Sequence, residues 1–227
     1  MRIITGLYKG RRFEVPRTFK ARPTTDFAKE NIFNVLTAYV DFEGATALDL
    51  FSGTGSITLE LVSRGCSQVV SVELDRDHHR FIKQCIGKLF PEHRINTDLH
   101  GQSEEIRVNP MPNPNRQSEE IRVNPMQSSN RQSEEIRVNP MPKIQCIRGD
   151  VFRFIKSCHT QFDLIFADPP YALKQLPQIP ALVLEKNMLK PGGVFVFEHG
   201  KDYDFSQHPG FVEHRSYGSV NFSIFRN

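Results

Sequence analysis

No stretch of this sequence approaches the ~20 consecutive apolar residues that a membrane span requires. Its longest apolar runs are strand-sized. A secretory leader is not expected either, because "MRIITGLYKG" turns polar within five residues. Cysteine is scarce: Cys66, Cys85, Cys146 and Cys158 stand apart with no C-x-x-C pair. That spacing argues against a disulfide framework or a zinc site, and for reduced, partly buried thiols in a cytoplasmic protein that needs no metal. Nor does one sign of charge dominate, since 29 basic residues face 26 acidic ones for a net +3. What remains is an ordinary globular composition, 38% hydrophobic and 24% charged over 227 residues, enough for one well-buried core.

The charge is unevenly placed. Residues 1–22 hold Arg2, Lys9, Arg11, Arg12, Arg17, Lys20 and Arg22 against Glu14 alone, a net +6, which leaves −3 for the rest. A basic segment on a mildly acidic body is the footprint of a polyanion docking on one side. One other region stands out. Residues 102–142 read "QSEEIRVNPMPNPNR", "QSEEIRVNPMQSSNR", "QSEEIRVNPMP", a tandem repeat of period fifteen. Each unit has one Ile-x-Val pair, too little apolar surface to offset the entropy of ordering it. The period is also shorter than those of solenoid units. Five Arg against six Glu nearly cancel, which makes the repeat a poor RNA arm. The expected organisation is a basic N-terminal hairpin extension over 1–25, one domain built from 26–101 and 143–227, and a flexible inserted repeat over 102–142.

Outside the repeat, strand-like and helix-like segments alternate. "ATALDLF" (45–51), "QVVSVEL" (68–74), "KIQCIR" (143–148), "FDLIFA" (162–167) and "GVFVFEH" (193–199) read as strands. Helices are expected over 57–64, 76–90, 151–157 and 175–187. Over 76–90, Phe81, Ile82, Cys85, Ile86 and Leu89 fall on one helical face. A further helix over 26–40 buries Ile32, Phe33, Leu36, Tyr39 and Val40. Continuously apolar strands between helices imply a parallel sheet covered on both faces. "FVEHRS" and "VNFSIFR" around "YGS" close the sheet as an antiparallel hairpin. "MRIIT" and "RRFEV" around "YKG" form a small N-terminal one. The fold class is therefore α/β and Rossmann-like, with a seven-stranded, mostly parallel sheet.

In an open parallel sheet, ligands sit beyond the carboxyl ends of the strands, where strand order reverses. Four strand ends here carry acids: Asp49 in "LDLFSGTGSITLE", Glu73 in "VEL", Asp150 in "RGDVF" and Asp168 in "ADPPY". Gly53 and Gly55 permit positive φ and close backbone approach to a ligand. Glu73 can accept from the two hydroxyls of a ribose. Nicotinamide enzymes also use a glycine turn, but the third glycine of G-x-G-x-x-G is replaced here by Thr58, and an acid opens the segment. This pattern points to S-adenosylmethionine (SAM), which carries sulfonium and ammonium charges and no pyrophosphate. Any one of these acids alone reads equally well as a helix cap.

"ADPPY" adds the chemistry. The lone pair of an exocyclic nucleobase amine is delocalised into the ring, so the amine is a poor nucleophile. Asp168 and the carbonyl of Pro169 can both accept from that NH2 group and favour a lone pair aimed at a methyl donor. Pro169 and Pro170 hold the acceptors stiffly. Tyr171 offers a flat face on which an unstacked base can lie.

"MRIITGLYKGRRFEVP", "RPTTDFAKENIFNVL", "LDLFSGTGSITLE", "VELDR" and "ADPPY" together resemble the RsmD-type bacterial methyltransferases, which modify N2 of a guanine in small-subunit ribosomal RNA. The resemblance runs from Met1 to about residue 100 and resumes at about 143, and the repeat has no counterpart in it. It implies a class I SAM-dependent methyltransferase fold. It also implies that Asp49, Ser52, Gly53 and Gly55 line the methionyl part, Glu73 the ribose, and Asp150 with Val151 the adenine. Arg2, Lys9, Arg11, Arg12 and Arg22 are then expected at the RNA face, with ribosomal RNA as partner, free or in an assembling subunit, and a monomeric enzyme. D-P-P-Y alone fits adenine-N6 or cytosine-N4 enzymes equally well. An adenine-N6 enzyme is disfavoured because no separate target-recognition domain is present. A non-catalytic RNA-binding or assembly factor is disfavoured by the intact glycine loop and D-P-P-Y.

Overall fold

The computed structural model describes residues 1–19, 25–91 and 141–227. Arg22 and repeat positions 102–140 lie outside the described residues. The expected sheet is present. β1 (Thr46–Leu50), β2 (Gln68–Glu73), β3 (Lys143–Arg148), β4 (Phe162–Ala167), β5 (Leu189–His199), β6 (Phe211–Tyr217) and β7 (Val220–Arg226) run in the order β3-β2-β1-β4-β5-β7-β6. β1 through β5 are parallel, and β7 pairs antiparallel with both β5 and β6.

Burial on both faces explains why the central strands are apolar throughout. Leu164 and Phe166 of β4 face a core filled by α1 (Asp26–Leu36), α2 (Ser56–Ser63) and α3 (Arg76–Leu89). Ile165 and Ala167 face the opposite core, under α4 (Val151–Ser157) and α5 (Ile179–Glu185). Side-chain caps start three of these helices. The Thr25 hydroxyl accepts from Ala28 N–H, Asp75 from Asp77 and His78, and Asp150 from Arg153. All four cysteines are free and buried, and burial pushes the Cys66, Cys85 and Cys146 thiols up to about 12.

Two expectations need correction. The first helix ends at Leu36 rather than residue 40, leaving Tyr39 and Val40 half-buried, with the Tyr39 hydroxyl 3.0 Å from Glu213. β5 starts at Leu189, before Pro191-Gly192-Gly193, because its pairing with β4 skips register between Phe162 and Leu164. The N-terminal hairpin is present: Arg2 bridges Arg12 in antiparallel fashion, Ile3 N–H donates to Arg11 O and Phe13 N–H to Met1 O, both at 3.0 Å, and Gly10 N–H donates to Ile3 O at 2.9 Å. Other N–H groups of the segment dock it on α2: Ile4 and Thr5 donate to Glu60 at 2.7 and 3.0 Å, and Tyr8 to Ser63 Oγ at 2.9 Å.

Candidate active site

The sheet order reverses between β1 and β4, and the four acids gather at the carboxyl edge around that point. Ser52 N–H donates to Val72 O at 3.1 Å, Gly149 to Glu73 O at 3.0 Å and Asp168 to Leu50 O at 3.3 Å. These bonds tie the loops leaving β1 and β3 to the end of β2, and the loop leaving β4 to the end of β1. Asp49 is the penultimate residue of β1, Glu73 the last of β2, Asp150 two residues past β3, and Asp168 the first past β4.

The loop after β1 turns on three positive φ angles, at Phe51 (60°), Gly53 (52°) and Gly55 (75°). At Gly55 an added Cβ would lie 2.8 Å from Ile82 Cγ1, so this glycine lets α2 start hard against α3. Phe51 is the unexpected member, because a non-glycine residue at positive φ carries local strain. The Ser52 hydroxyl turns inward to Asp49 O at 2.8 Å. Gly53 N–H donates to Glu73 Oε2, and Asp75 N–H to Glu73 Oε1, both at 2.7 Å. A carboxylate has about four acceptor positions, so Glu73 retains capacity for a further donor pair.

Asp49 is 1% exposed. Burial pushes its carboxyl up to about 7, reinforced by the charges of Asp168 and Glu73 and opposed by bonds from Thr58. Thr58 N–H donates to Asp49 Oδ2 at 2.9 Å, and the Thr58 hydroxyl donates to the same oxygen. Where a dinucleotide-binding loop would place its third glycine, this chain therefore places a double donor to an acid.

At the D-P-P-Y corner Pro169 is buried, Pro170 exposed and Tyr171 46% exposed. The Tyr171 hydroxyl donates to Glu198 Oε1 at 3.1 Å. Burial first, then the charges of Glu198 and Asp168, push its phenol upward. Asp150 does serve as a helix cap, accepting from Arg153 N–H at 2.9 Å, and Val151 packs into the core. Its sequence alone left both readings open, and the capping bond occupies only Oδ1.

Lys9, Arg11 and Arg12 are exposed on the N-terminal segment, while Arg2 is paired with Asp26 at 3.0 Å. Beneath this segment lies a buried cluster that sequence reasoning missed. Lys29 is 1% exposed and donates through Nζ to Arg2 O at 2.7 Å and to Ser56 Oγ at 2.9 Å. Its Nζ is also 3.7 Å from Glu60, which accepts from Arg64 at 3.0 Å. The only sequence signal was a Lys and a Glu at otherwise apolar helix positions. Among the described residues no group of three or more His, Cys, Asp or Glu could hold a metal, and no helix is long and apolar enough to cross a membrane.

A parallel sheet of this order, closed by an antiparallel pair and carrying an acid-led glycine loop at its reversal, is the fold of the class I SAM-dependent methyltransferases. A hypothetical protein of Thermus thermophilus superposes with a TM-score of 0.68 at 20% identity, covering 100% of this chain and 99% of that one. Thermus thermophilus RsmC, a 16S rRNA N2 methyltransferase solved with AdoMet and guanosine, superposes with a TM-score of 0.56 at 15% identity, covering 92% of this chain and 45% of that one. Within the class, the chain belongs to the RsmD-type family, whose description is Conserved hypothetical protein 95 and which matches residues 1–125 and 123–226. Ribosomal RNA small subunit methyltransferase D of Haemophilus influenzae is 26% identical over 231 residues, covering 100% of this chain and 94% of that protein.

Proposed function

We propose that this chain transfers a methyl group from SAM to the exocyclic N2 amine of a guanine in small-subunit ribosomal RNA. The observation that carries the reading is the set of acids around the sheet's reversal, with buried Asp49 on one side and Asp168 at a proline-stiffened corner on the other. Membership of the RsmD-type family supports ribosomal RNA as the substrate.

The residues present suit a cationic ligand. Two carboxylates, Asp49 and Glu73, face a loop that lacks the third glycine of a pyrophosphate cradle. Asp49, Ser52, Gly53 and Gly55 would hold the methionyl end, with Ser52 shaping the loop through its inward hydroxyl. Glu73 would take the ribose, and Asp150 with Val151 the adenine. SAM when bound supplies an electrophilic methyl group on a positive sulfonium.

Asp168 and the Pro169 carbonyl accept the two N2 hydrogens and rotate the nitrogen lone pair out of conjugation. Asp168, directly or through water, would take the proton that N2 sheds as it gains the methyl group from SAM. Negative charge already placed there offsets the positive charge growing on the amine. Tyr171 supports the base, and Pro170 keeps that support rigid. Lys9, Arg11, Arg12, Arg22 and, less freely, Arg2 would grip the phosphates and make binding salt-dependent.

The test is tritium transfer from labelled SAM into 16S RNA and into small subunits, followed by nucleoside analysis. The expected product is N2-methylguanosine; N6-methyladenosine would select the adenine enzyme instead. Asp168→Ala is expected to abolish transfer while SAM binding by calorimetry survives. Persistent transfer in that variant removes Asp168 from the role given to it. Wild-type protein that binds no SAM would favour an assembly factor.

A further inference from the structure

Tyr171 is tethered at its tip, and the tether comes from a different strand. β4 and β5 are in register from Leu164–Val194 to Ala167–Phe197, so Glu198 is the next β5 residue beside Asp168. Glu198 is 4% exposed, and its Oε1 takes the Tyr171 hydroxyl at 3.1 Å. Tyr171 as a whole stays 46% exposed. Pro169 and Pro170 fix the backbone on which Tyr171 is mounted, and Leu173 N–H closes the turn on Pro170 O at 2.8 Å. Prolines cannot fix the side-chain torsions, and a ring held only at its root would swing.

We propose that Glu198 is a positioning residue for methyl transfer: it anchors the Tyr171 hydroxyl so that the exposed ring stands as a fixed stacking face for the target base beside Asp168. The role rests on the function proposed above. A carboxylate is costly to bury and is kept where its charge strengthens a hydrogen bond. Two soft torsions of Tyr171 are thereby frozen before the base arrives, and that ordering is not charged against binding. The phenol's one donor is spent on Glu198, so Tyr171 contacts the base through its face and not as a proton donor.

The experiment is a double-mutant cycle on methyl transfer, with Tyr171→Phe, Glu198→Ala and the pair, plus Glu198→Gln. Tyr171→Phe keeps the stacking face and removes only the tether. Each single variant is expected to raise KM for RNA about tenfold, with SAM affinity by calorimetry unchanged. The pair should lose no more than either single change, and Glu198→Gln, which keeps an acceptor oxygen, should recover part of the loss. A merely structural Glu198 would lower the unfolding temperature without that non-additivity. Single-variant losses that multiply in the pair, or a Tyr171→Phe protein with wild-type KM, overturn the proposal while leaving the methyltransferase reading intact. Should Glu198→Ala fail to fold, Tyr171→Phe against Glu198→Gln decides the question. A wild-type enzyme inactive on ribosomal RNA overturns both.

Discussion

Thr58 holds Asp49 twice through one oxygen, by its backbone N–H at 2.9 Å and by its hydroxyl. The acid thus stays inside the core, where burial alone would drive it neutral, yet close enough to the charged form to switch near neutral pH. Thr58→Val keeps the N–H and the shape but removes the hydroxyl. It is expected to cost about 1–3 kcal/mol in urea unfolding and to weaken SAM binding, whereas Thr58→Ser should retain most of both.

With the Asp49 carboxyl lifted from 3.8 to about 7, the proposed role of Asp49 at the SAM site predicts pH-dependent cofactor binding. A cation prefers the ionised form, so SAM affinity should rise with pH up to about 7 and level off above it. Below that point the loss approaches tenfold per pH unit. Asp49→Asn should flatten the profile. Stability runs the other way: between about 4 and 7 the folded state holds a proton that the unfolded chain has lost, so raising pH through this window destabilises the apoprotein. Urea midpoints at pH 5 and pH 8 should therefore converge in Asp49→Asn relative to wild type.

Two glycines of one loop should respond differently to alanine. Gly53 needs φ 52° but has only Phe51 O near an added Cβ, at 3.8 Å. Gly53→Ala should cost about 1 kcal/mol, the left-handed penalty alone. Gly55→Ala adds a 2.8 Å collision with Ile82 to φ 75° and should cost about 2–4 kcal/mol. Thermal unfolding of the two variants checks the ranking, and equal losses would contradict it.

Lys29 ties the basic segment to the first residue of α2 through Arg2 O and Ser56 Oγ. Lys29→Met leaves Glu60 buried with Arg64 as its remaining ion partner among those described, and should destabilise by about 3 kcal/mol. Freed from this anchor, the segment should be cut faster by trypsin at Arg11 and Arg12. Unchanged proteolysis would argue that the Glu60 and Ser63 contacts suffice alone.

Much of this was legible along the chain. Strands such as "FDLIFA" announced two-sided burial through unbroken apolarity, and the acids marked the strand ends by their positions. What escaped notice were relationships between residues far apart. The docking of the N-terminal hairpin on α2 was hidden, because nothing local says that Glu60, more than fifty residues on, takes the N–H groups of Ile4 and Thr5. Thr58 was noticed as a missing glycine, but its bond to Asp49 depends on how sharply the loop folds back. Glu198 sat in an evident strand, and its meaning came only from its neighbour on β4. Arg2 counted as free charge until Asp26 was found beside it.

The chain leaves the described fold after Pro91, past the end of α3, and rejoins it at Met141, just before β3. Lys143 pairs with Gln68, at the amino ends of the strands, whereas Asp49, Glu73 and Asp168 lie at the other end of strands about 20 Å long. A block inserted between Pro91 and Met141 therefore leaves the strand ends that carry the four acids untouched in sequence. Excision of 102–142 is expected to leave methyl transfer to small-subunit RNA within about twofold of the parent. An engineer seeking somewhere to splice a reporter or a purification handle would find the natural socket already cut.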